Sequence, residues 1–142
     1  MSYNLADIKY ISAPTLRSWF DQGSPNGSFA VVDVRDSDYV GGHIRGCLHY
    51  PAAEFEARLP ELQQELLDRG VTDVVFHCAL SQVRGPSCTL KFLRANAASS
   101  DDRLKVLRVF VLKGGFTRWQ QEYGEDEAVT EDYDKQIWLA DF

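Results

Sequence analysis

The 142-residue chain has only three cysteines, Cys47, Cys78 and Cys88, an odd and scattered set with no metal-ligand spacing. A disulfide framework or a cysteine metal site is therefore not expected. Free thiols in a reducing compartment, one of them reactive, fit better. Long apolar runs are missing too. Phe29–Val32 and Val109–Leu112 are strand-sized, far short of the roughly 20 residues that cross a bilayer. Positive charge is scarce, with 15 Lys and Arg against 21 Asp and Glu. The net charge of −6 argues against general binding to nucleic acid or to an anionic membrane surface. The first ten residues hold no basic region followed by an apolar stretch, so no secretory signal is expected, and a cytoplasmic or nuclear location is the default. There is no internal repeat and no low-complexity block.

What is present is an ordinary globular composition, with length for one domain that buries about two-thirds of its unfolded surface. Strand-like runs alternate with helical segments, the pattern of an α/β fold with a central, mainly parallel sheet and helices on both faces. Ser12 can cap a first helix that runs to Gln22 and stops at Gly23. Phe29–Val34 reads as a buried strand. Leu59, Leu62, Leu66 and Leu67 follow helical spacing, with Pro60 suited to the first turn and Gly70 to the end. Val74–Phe76 is a second buried strand, Gly85–Ala97 a helix, Val106–Leu112 a third strand ended by Gly114 and Gly115, and Phe116–Tyr123 a short last helix. Residues 1–123 form the expected catalytic domain. Residues 124–142 are read as an acidic tail, loosely packed over 124–134, with Ile137, Trp138, Leu139 and Phe142 able to dock its end onto the body.

The chemistry is concentrated in His77-Cys78-Ala79-Leu80-Ser81-Gln82-Val83-Arg84-Gly85. A strand ends, a short loop turns, and an arginine opens a helix. Such a loop can aim successive backbone N–H groups at one point, backed by the positive end of the helix. That arrangement binds a tetrahedral dianion and favours a thiolate on Cys78. Arg84 can hold two anion oxygens in a bidentate fork, which a lysine could not copy. Cys78 would then sit beneath the anion, in line for attack. The diffuse negative charge of the chain does not oppose this, because a nest of amides with one arginine outweighs it locally.

Three blocks carry a family resemblance. They are Val31-Val32-Asp33-Val34-Arg35 continuing through Tyr39-Val40-Gly41-Gly42-His43-Ile44-Arg45-Gly46, the His77–Pro86 loop, and Leu112-Lys113-Gly114-Gly115-Phe116 with Trp119 following. In this order they resemble the rhodanese-like domains, and within them the M-phase inducer dual-specificity phosphatases and the eukaryotic arsenate reductases, above all small stand-alone fungal and plant members. The resemblance spans most of the chain. Rhodanese sulfurtransferases have a loop one residue shorter, so five residues between Cys78 and Arg84 imply a phosphate-sized anion rather than a persulfide.

The resemblance implies Cys78 and Arg84 as catalytic residues, with Ala79, Leu80, Ser81, Gln82, Val83 and Arg84 binding substrate. It implies a phosphorylated protein or a small oxyanion as substrate, and no cofactor. The loop interior has no carboxylate to protonate a leaving group. Asp36 and Asp38, on the same sheet edge, are the candidates, although solvated loop carboxylates are the plainer expectation for both. Arsenate reduction avoids part of that demand and would take glutathione as co-substrate. A non-catalytic rhodanese-like binding module is a third reading, opposed by the retention of both Cys78 and Arg84. Asp33 and Arg35 are expected to pair and brace the loop, and His77 to fix loop carbonyls. Cys47 and Cys88 are expected in the core, and Trp19, Trp119 and Trp138 in packing. No metal is expected, since three scattered cysteines cannot rebuild the zinc site of plant relatives.

Overall fold

A computed structural model describes residues 3–139. In its first half the elements are β1 (Tyr10–Ile11), α1 (Ala13–Gln22), β2 (Phe29–Asp33), β3 (His43–Ile44), β4 (Leu48–His49) and α2 (Phe55–Arg69). The second half continues with β5 (Asp73–His77), α3 (Arg84–Ala98), α4 (Asp102–Lys105), β6 (Arg108–Leu112), α5 (Gly115–Tyr123), β7 (Thr130–Glu131) and α6 (Lys135–Leu139). Five strands form one sheet in the order β1-β6-β5-β2-β4, and every pairing in it is parallel.

The period-two alternation of β2 and β5 builds a core on each face of the sheet. Ala30, Val32, Val74 and Phe76 meet Leu62 and Leu66 of α2 and Cys88 and Phe92 of α3. Val31 and Val75 turn the other way, onto Leu16 and Trp19 of α1 and Phe116 and Trp119 of α5. Both central strands are thus shielded on both sides, which is why they read as unbroken apolar runs. Each large side chain so buried contributes roughly 1.5–3 kcal/mol.

Helix α1 has the expected ends. Ser12 Oγ accepts from Thr15 N at 3.2 Å, and Gly23 stands at the C-terminus with φ 82°. Helix α2 starts earlier than the leucine spacing suggests. Phe55, 1% exposed, anchors the start, so Pro60 lies in the helix interior and the ladder loses one N–H there. At the other margin, Val106 does not begin a strand. It closes α4 and is 76% exposed, and β6 begins only at Arg108.

The loose packing expected of 124–134 is not what the structure shows. Val129 and Thr130 are buried, and β7 pairs antiparallel with β3. Trp119 Nε1 donates to Thr130 Oγ1 at 2.9 Å. Farther on, Trp138 Nε1 donates to the Gly41 carbonyl at 2.9 Å, while Ile137 and Leu139 stay largely exposed. A few apolar and hydrogen-bonding residues set among the acids are enough to hold the segment down. Phe142 lies outside the described residues.

Candidate active site at the end of strand β5

Parallel sheets present ligands at the carboxyl ends of their strands, and the loop of residues 78–83 leaves the carboxyl end of β5 and enters α3 at Arg84. Cys78 is 3% exposed. Two backbone N–H groups point at its sulfur, Ser81 N at 3.2 Å and Gly85 N at 3.3 Å. Ser81 is buried and takes a left-handed conformation, φ 57°, which strains a non-glycine residue by about 1 kcal/mol or more. Its Oγ accepts from Cys78 N at 3.4 Å. Leu80 and Val83 point outward, 51% and 74% exposed, and with Gln82 exposed they form the rim.

The loop carbonyls are tied outward. Phe116 N donates to Cys78 O at 3.0 Å and Thr117 N to Ala79 O at 2.9 Å. The free N–H groups of the first turn of α5 thus find their acceptors in the loop. Gly115 permits this approach. At φ +59°, a Cβ there would stand 2.4 Å from Ala79 O and 2.5 Å from Cys78 O. Gly114 and Gly115 read in sequence as a strand terminator. The clamp on the loop is not written in the pattern itself, whose signals are two adjacent glycines ahead of an amphipathic helix and their place in the third family block.

His77 lies beneath the loop with no exposure. Its Nδ1 donates to Cys78 O at 3.0 Å, fixing a loop carbonyl as expected. Burial holds the imidazole below its ordinary value and outweighs the attraction of Asp33. Its Nε2 has no hydrogen-bond partner and stands 3.6 Å from Asp33 Oδ2. Asp33 and Arg35 pair, both fully buried: Arg35 Nε donates to both carboxylate oxygens at 3.1 and 3.0 Å, and Nη2 to Oδ2 at 2.8 Å. The guanidinium also donates to Gly42 O at 2.8 Å and lies 4.4 Å from the Phe116 ring centroid. Burial alone would raise Asp33, but the hydrogen bonds and charge of Arg35 hold it below the usual carboxylate range.

Asp36 and Asp38 follow β2 and reach the same edge as expected. Both stay partly exposed loop carboxylates, and both are bound to Arg84, a pairing beyond that expectation. Arg84 Nη1 donates to Asp38 Oδ1 at 2.8 Å and Nη2 to Asp38 Oδ2 at 2.6 Å. Nη1 also reaches Asp36 Oδ2 at 3.2 Å. Asp36 has a second anchor, accepting from Ala53 N at 3.0 Å. The Arg84 guanidinium holds Asp38 below the usual carboxylate range, against a smaller opposing effect of burial. The shared sheet edge is expected from the sequence, but this ion pair across 46 residues is not.

The other two thiols lie away from this cluster. Cys88 packs in the core between sheet and α3, and burial pushes its thiol up to about 12. Cys47 is partly buried near Tyr39 and is also raised to about 12, again chiefly by burial. His43 sits 3.4 Å from Glu131 across the β3–β7 pair, away from the loop chemistry. Among the described residues no group of three or more His, Cys, Asp or Glu could hold a metal ion.

Residues 13–122 match the rhodanese-like domain family model, and the chain belongs to that family. It is 40% identical over 148 residues to the CDC25-like phosphatase YCH1 of Saccharomyces cerevisiae, covering 96% of this chain and 98% of the relative. It is 45% identical over 118 residues to arsenate reductase 2.2 of Oryza sativa subsp. japonica, covering 80% and 82%. Among solved structures it resembles a yeast protein tyrosine phosphatase of the rhodanese family, with a TM-score of 0.84, 39% identity and 93% and 97% of the two chains covered.

Proposed function

We propose that this chain is a cysteine-dependent phosphatase of the tyrosine or dual-specificity type, acting on a phosphorylated protein. The observation that carries the reading is the Cys78 sulfur at the focus of the loop, with Ser81 N and Gly85 N directed at it and Arg84 opening the next helix. In the first step the Cys78 thiolate attacks phosphorus, the S–P bond forms, and the P–O bond to the substrate breaks. The loop amides from Ala79 to Arg84 and the Arg84 fork receive the three peripheral oxygens, whose charge grows in the transition state. The leaving oxygen takes a proton from Asp38 or Asp36. Water then attacks phosphorus with the carboxylate just formed taking its proton, the S–P bond breaks, and inorganic phosphate leaves as the Cys78 thiolate is restored. No cofactor enters this sequence.

Turnover of para-nitrophenyl phosphate tests it. The wild-type chain hydrolyses the ester, and Cys78→Ser loses the activity by at least about 1,000-fold, since an unactivated hydroxyl replaces the nucleophile. Equal rates in the two proteins would end the phosphatase reading.

Glutathione-dependent arsenate reduction is the second reading, favoured by the loop interior, which has no carboxylate. Cys78 would attack arsenate with loss of an oxygen as water. Two thiols then give two electrons to arsenic, ending as a disulfide as arsenite leaves. Cys47 and Cys88, both raised to about 12, are poor internal donors, so the second thiol is external. Glutathione attacks the Cys78 sulfur, the S–As bond breaks with its electrons going to arsenic, and a second glutathione reduces the mixed disulfide to restore Cys78. Arsenite formation that depends on glutathione, with no ester hydrolysis, would establish this reading instead.

A further inference from the structure

The loop is flanked by two cavities of unlike charge, and Leu80 is the ridge that lines both. The first, about 800 Å³, lies at the carboxyl ends of β1 and β6 and carries Lys113, Arg118 and Glu122. The second, about 980 Å³, lies toward Asp38 and also carries Glu125 and Lys135, which pair with each other at 3.2 Å. The first flank therefore has an excess of cation, in a chain whose net charge is −6, whereas both acids of the second are paired, Glu125 with Lys135 and Asp38 with Arg84.

Both cations of the first cavity are held by the backbone but free to rebind at the tip. Lys113 N donates to Ile11 O at 2.9 Å and Arg118 N to Gly114 O at 3.2 Å, so the sheet and α5 fix where the two side chains start. The left-handed turn at Gly114, φ +83°, packs closely on Arg118, since a Cβ on that glycine would lie 2.6 Å from Arg118 Cβ, and Lys113 and Arg118 line the same cavity. Lys113 enters no ion pair among the described residues. Arg118 meets only Glu122, at 3.4 Å, on the exposed surface, a helix pair worth about 0.3–0.5 kcal/mol. A ligand carboxylate can take over both at little cost. The remaining wall includes Ala13, Pro14 and Leu80, an apolar floor suited to peptide backbone and aliphatic stems, in a volume within the usual range for a ligand site.

We propose that this cavity is a specificity subsite, in which Lys113 and Arg118 bind an acidic side chain of the polypeptide substrate a few residues from the phosphorylated one. The chain then crosses Leu80 in a preferred direction, since reversing it would carry the acidic side chain to a cavity whose lining cation, Lys135, is already paired with Glu125. Discrimination arises from the attraction in the first cavity and its absence in the second. The subsite rests on the phosphatase reading and names its substrate class.

The test uses the full chain, para-nitrophenyl phosphate, and phosphotyrosine peptides that differ only by Glu, Ala or Lys at one position within four residues on either side. On one side of the phosphotyrosine, Glu raises kcat/KM over Lys by about 3- to 10-fold, the scale of exposed ion pairs, and added salt shrinks the difference. Lys113→Glu/Arg118→Glu abolishes or reverses the preference and leaves para-nitrophenyl phosphate turnover unchanged. Binding of the same peptides to Cys78→Ser reads the subsite without turnover, so a preference seen there upholds the subsite even if hydrolysis fails. Equal treatment of Glu and Lys peptides by a chain that hydrolyses the small ester overturns the subsite alone. So does a preference that survives the double substitution.

Discussion

Arg84 has two calls on its guanidinium. Asp38 occupies both of its terminal nitrogens, at 2.8 and 2.6 Å, and a bound phosphoryl group needs the same fork. Each carboxylate has one backbone anchor, Asp36 from Ala53 N and Asp38 from Asp36 N. But Asp38 holds the arginine by two short contacts against one longer contact for Asp36, so Asp38 is the partner with more to lose. Once an anion takes the arginine, Asp38 is left beside added negative charge without the cation that holds it ionised, and a proton on it becomes favourable. Substrate binding would thereby prepare the acid that the leaving oxygen requires. Asp38→Asn should lower KM a few-fold by freeing Arg84, the worth of a partly exposed pair. For phenyl phosphate it should also lower kcat by about 100-fold, the usual scale of a lost general acid, with much less effect for para-nitrophenyl phosphate. An unchanged kcat for both esters would remove Asp38 from the role and leave Asp36. The Cys78 and Arg84 spacing is legible in sequence because the strand, turn and helix signals are local. The placing of Asp36 and Asp38 on the same sheet edge is legible too, from two buried strands expected side by side, but their pairing with Arg84 is not, because it depends on the register in which β2 meets β5.

The loop keeps its shape only because other elements hold it. Strand β5 delivers Cys78, the first turn of α3 supplies Gly85 N, and the N-terminus of α5 draws the Cys78 and Ala79 carbonyls outward, leaving the amides to face inward. Gly115→Ala tests the clamp, because its methyl would collide with both carbonyls at a backbone angle that L-residues avoid. We expect a stability loss of about 1–3 kcal/mol. Phosphatase activity should fall further than the unfolded fraction explains, measured by denaturant unfolding beside kcat/KM. Normal activity in a folded variant would show that the clamp does not shape the site. Helices α1, α3 and α5 were readable from caps and apolar spacing. The start of α2 was not, because Phe55 anchors it through tertiary burial while Pro60 looks locally like a first-turn residue. Strands β1, β3, β4 and β7 are two residues each, too short to show a period, and their partners lie far along the chain.

At the scale of the molecule, the two apolar faces of the sheet are written in alternating residues, but the charged centre beneath the loop contradicts the simple rule that ions stay outside. Asp33, Arg35 and His77 are all fully buried, and the Asp33–Arg35 pair survives there because both ends are hydrogen-bonded. His77 is the exception, its Nε2 unpartnered, and burial holds it below the ordinary histidine value of about 6.5. The unfolded chain therefore takes up a proton as pH drops through about 6.5 while the folded chain does not, so stability is full above that pH and falls below it, by at most about 1.4 kcal/mol per pH unit for one group. Asp33 is lowered as well. Its contribution is present above the unfolded carboxylate value of about 3.9 and is lost only as pH falls below it. Acid unfolding should thus have an early limb from His77 and a later one from the carboxylates. Denaturant unfolding at pH 7.5, 6.5 and 5.5 should show wild-type stability declining across this range. His77→Gln, although less stable at neutral pH, should be flat there and decline only below about pH 4, where carboxylates titrate. A slope in His77→Gln equal to that of the wild type would place the early limb elsewhere and leave His77 as a packing residue.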